Sequence, residues 1–102
     1  MTTFVYYFIP EDNENENKMN VFIIYKNFKN VKIQDIKDNF PLPGEYYFRF
    51  KFEFMEKSVW IDFNNPTGAL PKYEGKIIMK VSRISWEKKE ESKPPTAESL
   101  FM

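Results

Sequence analysis

The chain contains no cysteine and no histidine. Without cysteine it can form neither a disulfide nor a thiolate metal site. Without histidine it lacks the commonest metal ligand and the usual acid–base group of neutral pH. It also lacks a surplus of charge: 15 basic and 15 acidic residues cancel to a formal net charge of zero, whereas a nucleic-acid binder usually carries a basic excess. No apolar run approaches the roughly 18 residues of a membrane span. The opening MTTFVYYFIP has no basic segment and no small-residue cleavage site, so the expectation is a soluble, cytoplasmic protein. No metal and no cofactor are expected, and an enzyme is the weakest candidate. At 102 residues there is room for one modest domain.

What the chain has is aromatic side chains, at 19% of residues. They are ordered. In EYYFRFKFEF, residues 45–54, Tyr46, Phe48, Phe50, Phe52 and Phe54 fall on one parity, and Tyr47, Arg49, Lys51 and Glu53 on the other. Alternate side chains of a strand point to opposite faces, so this segment reads as a strand with one apolar and one charged face.

The rest of the chain supplies the partners of that strand. Residues 2–9 (TTFVYYFI) are apolar on both parities and end at Pro10, as expected of a central strand. Residues 11–18 (EDNENENK) form a polar acidic loop without the Gly and closing Glu of an EF-hand. MNVFIIYKNF, residues 19–28, reads as a second strand. NVKIQDIKDNF, residues 30–40, reads as a short helix with Ile33, Ile36 and Phe40 on one face and Asp35 near its start. Pro41 stops it, and Pro43-Gly44 turns the chain. MEKS turns into a fourth strand, VWIDF, residues 59–63; after a loop carrying Leu70 and Tyr73, residues 76–86 form the last strand. The order β-β-α-β-β-β predicts an α+β, ubiquitin-like roll: a five-stranded mixed sheet with one short helix over Phe48, Phe50 and Phe52. Residues 1–86 make the domain, and the charged, Pro-containing residues 87–102 read as a disordered tail or linker.

Little here can do chemistry. Asp35 and Asp38 are spaced as solvated helix-surface carboxylates, and catalysis would need a cleft and shifted pKa values as well. YEGK has no P-loop spacing around it. Aromatic sheets do stack RNA bases, but here the aromatic parity of residues 45–54 is the one the helix needs. Two features resist a core reading. Trp60 shares a parity with Asp62 and so faces away from Val59, Ile61 and Phe63; exposed Trp is enriched at binding hot spots. The second strand is apolar on both parities, and at a sheet edge its free backbone groups would invite a strand from another chain.

From Val59 to Val81 the chain resembles the C-terminal half of DIX domains, the modules shared by Dishevelled and Axin. The matching features come in order: Val59-Trp60 in strand four, Asn64-Asn65, Leu70-Pro71, Tyr73, Glu74-Gly75, and the apolar Ile77 to Val81. VYYFIPED, residues 5–12, is similar to the family's opening strand and acidic turn, and residues 31–40 fall where the family has its helix. The match departs at three points. Lys32 stands at the usual Thr/Ser cap, which leaves capping to Asn30; the Pro-Tyr pair of strand two is missing, with Asn20 at the Tyr in a gapless alignment and Val21 there after a one-residue shift; and Trp60 replaces a basic residue. The resemblance implies a module that polymerises head to tail, strand two of one copy against strand four of the next. Asn20, Val21, Phe22, Ile23 and Ile24 would form one side, and Lys57, Val59, Trp60 and Asp62 the other. The implied partners are the chain itself and other DIX domains, with no membrane and no nucleic acid. The rival readings are a monomeric ubiquitin-like module for another protein, and a single-stranded nucleic-acid binder using Tyr47, Arg49 and Lys51.

Overall fold

The computed structural model describes residues 1–85. Five strands, β1 (Thr3–Phe8), β2 (Asn20–Ile24), β3 (Glu45–Phe54), β4 (Lys57–Ile61) and β5 (Ile77–Ser85), form one sheet in the order β2-β1-β5-β3-β4. Only β1 and β5 run parallel. Among the described residues one α-helix, α1 (Ile33–Asn39), lies across one face. This is the mixed five-stranded α+β roll of ubiquitin-like order. Trp86 and the expected tail at 87–102 lie outside the described residues.

The registers join into a row that crosses the sheet without a break: Asn20, Tyr7, Met79, Phe50 and Ile61. All five face α1. Tyr7, Met79 and the fully buried Phe50 belong to one core cluster with Val5, Ile24, Ile36, Ile77, Val81 and Leu70, and Ile61 packs against it. The apolar parity of β3 explains the arrangement, because residues two apart share a face. Phe40, just past the helix, extends its cover. Its ring meets Tyr46 at 4.9 Å, Tyr7 at 5.0 Å, Phe48 at 5.2 Å and Phe22 at 5.9 Å, each edge to face. Such contacts contribute about 0.5–1.5 kcal/mol beyond burial.

Several sequence expectations need correction. Phe52 and Phe54 lie on the apolar parity yet remain 37% and 57% exposed. The pairing of β3 with β5 stops at Phe50, whereas its pairing with β4 continues to Phe54. The end of the β3–β4 hairpin therefore extends past the part of the sheet that α1 covers. Phe48 and Ile33 pack against the core but are only partly buried. The turn uses two residues, not four: Met55 (φ 52°) and Glu56 (φ 65°) are both left-handed, as a type I′ hairpin requires. As a result β4 begins at Lys57 and ends at Ile61. Strand β2 ends at Ile24, where Lys26 N–H turns back to the Ile24 carbonyl at 2.9 Å. Asn27 then caps a short 3-10 turn at Phe28–Asn30 by accepting the Lys29 N–H.

The cap of α1 also differs from expectation. The N-cap position is Lys32, whose ammonium has nothing to accept with. Half a capping box remains: the Asp35 carboxylate accepts the Lys32 N–H at 2.9 Å, and its other oxygen takes the Lys26 ammonium at 2.9 Å. Asn30 does not cap the helix.

Burial separates two phenylalanines of the same strand, and unfolding should report the difference. Phe50→Ala should cost about 3–5 kcal/mol, the range for a fully buried Phe. Phe54→Ser should stay within about 0.5 kcal/mol, as surface changes do. Urea midpoints on both variants check this; similar losses would mean that the hairpin end is covered in solution.

Candidate functional site

The residues expected at an interface do not form one cluster. Asn20 to Ile24 make the whole of β2, one edge of the sheet; Lys57, Val59 and Trp60 belong to β4, the opposite edge, with Asp62 just beyond it. Strand β2 is antiparallel to β1, β1 is parallel to β5, and β4 points the same way as β5. The two edge strands therefore run in opposite directions. Among the described residues neither edge has a further strand beside it, so each has one row of backbone N–H and C=O groups outside the ladder.

At the β2 edge the side chains alternate. Ile24 is buried, and Phe22 packs 5.8 Å from Tyr7, so both turn toward α1. Val21 and Ile23 turn to the other face, 52% and 40% exposed, beside Phe4 and Tyr6 of β1. The strand starts where the acidic loop holds it: one Glu14 carboxylate oxygen accepts both the Ile9 N–H and the Asn20 amide at 2.9 Å. Arg83 grips Asp12 through two hydrogen bonds of 2.7 and 2.9 Å, and Lys51 pairs with Glu16. These pairs pin the loop that leads into β2.

At the β4 edge, Lys57 and Ser58 are exposed and Val59 and Trp60 half-buried. Trp60 lies on the face away from α1 and leans over that face until its ring meets Phe8 at 5.7 Å. Lys51 and Lys80 sit 5.9 and 5.8 Å from the Trp60 ring, and Lys51 is 4.3 Å from Tyr73. Tyr73 reaches this position from a tight turn whose Glu74 and Gly75 both have positive φ. It joins this second face, while Leu70 fills the core. Sequence reading overlooked Phe8 and Ile78, which are buried on this second face. The signal was there, in the apolar residues on both parities of β1.

The same face weighs against stacking of nucleic-acid bases. Asp62 accepts the Tyr47 hydroxyl at 2.6 Å and pairs with Arg49 at 3.3 Å, while Lys51 is held by Glu16. Cations lie against the rings of Tyr47, Trp60 and Tyr73, where bases would have to stack. Among the described residues no three acidic side chains converge as metal ligands, and no helix is long and apolar enough to cross a membrane.

A protein-family model described as DIX domain matches residues 1–81. No curated protein matches the chain.

The carboxylates that anchor these loops give the fold an acid limb. The hydrogen bond from Arg83 holds Asp12 below the ordinary carboxylate range, and the Lys32 N–H, then the Lys26 ammonium, does the same for Asp35. A pKa lower in the folded than in the unfolded state adds stability that is whole above about pH 4 and is lost as pH falls through the folded values. Asp35→Asn should lower stability at pH 7 and reduce the loss between pH 5 and pH 2. Urea midpoints across this range, equally steep in wild type and variant, would exclude Asp35 as a source of the acid limb.

Proposed function

The chain belongs to the DIX domain family, a family of protein–protein interaction modules, and we propose that it joins copies of itself head to tail, β4 of one copy beside β2 of the next. One observation carries the reading: β2 and β4 are the two opposite edges of a single sheet and run in opposite directions. A copy shifted sideways without being turned over would bring its β2 alongside β4 as an antiparallel pair. The row Asn20–Tyr7–Met79–Phe50–Ile61 would continue into Asn20 of the next copy. In that register Trp60 faces Val21 and Ser58 faces Ile23. Backbone pairing supplies affinity, and the alternate side chains supply specificity.

A contact between two different edges does not close on itself, and the twist of the sheet turns the row of copies into a helix. Each contact is weak alone; many in series give avidity to whatever a larger scaffold carries. A cytoplasmic scaffold as parent, with residues 1–86 as the assembling unit and 87–102 as its linker, belongs to the same proposal, as does pairing with other DIX domains.

Sedimentation velocity over a wide concentration range tests the proposal. Wild type should grow in size with concentration. Val21→Asp should disable the β2 edge and Trp60→Asp the β4 edge, since each places an unpaired charge inside the joint. Phe22 is a poor target because it turns inward. Ser58→Lys, opposite Glu53 in β3, keeps the fold and blocks the β4 edge if Trp60→Asp fails to fold. Each edge variant alone should remain a folded monomer, and a mixture of a β2-edge and a β4-edge variant should give a heterodimer and nothing longer. Wild type that is monomeric at all concentrations would favour the rival, a monomeric ubiquitin-like binding module.

A further inference from the structure

Three features meet at one end of the sheet. First, the β3–β4 hairpin presents Phe54 and Met55 to solvent, Met55 at 79% exposure. Second, the turn that holds Met55 is left-handed at two non-glycine residues, a conformation that Asn or Gly would adopt at lower cost. Third, Tyr25, 78% exposed, follows the last residue of β2. The registers put these features at the same end: Ile24 lies beside Thr3 at the start of β1, β1 starts beside the start of β5, and the late residues of β3 run past that start. The tip and Tyr25 lie at opposite edges of one copy. When copies meet edge to edge without turning over, the antiparallel strands set Lys57 beside Ile24 of the neighbour. The tip then reaches the position just past Ile24.

We propose that the Phe54–Met55 tip docks on Tyr25 of the next copy, as a second anchor beside the paired strands. This rests on the head-to-tail reading and adds to it a specificity device that lies outside the paired strands. A thioether against an aromatic ring is a favourable contact. The occupant is a second copy because the patch continues the β4 edge: Phe54 is the cross-strand partner of Lys57, and Phe52 of Val59. A tip anchored on a neighbour also fixes the register, since a slip of two residues would carry Met55 away from Tyr25 by about 7 Å.

The experiment compares the full chain with Met55→Asn, Tyr25→Ser, the double variant and Val21→Asp, by sedimentation velocity and urea unfolding. Asn suits the left-handed turn, so Met55→Asn should unfold at the same urea concentration or higher. It should nevertheless need about tenfold more protein to assemble, as loss of an interface anchor does. Tyr25→Ser should give a similar shift, and the double variant little more than either alone, because the two residues meet each other. If Val21→Asp abolishes assembly while Met55→Asn and Tyr25→Ser assemble like wild type, the tip anchor is wrong and the strand pairing stands. Additive losses in the double variant would overturn the contact between these two residues. Wild type that never assembles would overturn the anchor together with the reading it rests on.

Discussion

One short helix must cover a five-stranded sheet, and it cannot. Its seven residues give a length of about 10 Å, while five strands are nearly 20 Å wide. The cover extends beyond the helix through Phe40, whose ring is surrounded by Tyr7, Phe22, Tyr46 and Phe48. Phe50 is fully buried in the same core as Ile36 of the helix and Met79, with its ring 6.4 Å from Phe63. Farther along β3 the cover ends, and Phe52 and Phe54 remain in solvent although they carry the same pattern as Phe50.

Among the described residues the opposite face carries no helix and is covered by side chains. Trp60 leans from the β4 edge as far as Phe8 on β1, with Lys80 and Lys51 against its ring. Long basic side chains are suited to this, because their methylene stems cover apolar surface while the ammonium stays wet. Glu16 and Asp62 balance part of the charge. The face that resembles a nucleic-acid platform in the sequence is thus a small second core.

Edge strands normally carry protection against unwanted pairing, such as a charge, a proline or a bulge. Strand β2 has none of these: it is Asn-Val-Phe-Ile-Ile. Its outward residues, Val21 and Ile23, are apolar and exposed. Strand β4 carries a single charge, Lys57, at its hairpin end. The two edges run in opposite directions, and the pinned acidic loop before β2 keeps one of them in place.

The sequence by itself determined the elements and their order. Alternation in residues 45–54, apolar residues on both parities of β1, and the Ile33–Ile36–Phe40 spacing are local patterns, and strands and helices obey local periodicity. The mismatch of Trp60 with its strand was legible for the same reason. What only the tertiary structure decided is where each pattern stops being buried. Phe50 and Phe54 are alike in sequence, and the reach of a helix from an earlier part of the chain, Ile33–Asn39, separates them. Trp60 reads as an exposed side chain until Phe8, brought three strands across by the topology, gives it a surface to lie on. The left-handed Met55 and Glu56 carry no glycine or asparagine signal, so the two-residue turn, and with it the start of β4, could not be read. Above all, that β2 and β4 are opposite edges running in opposite directions is a property of strand order, and strand order is set by contacts between residues far apart in the chain.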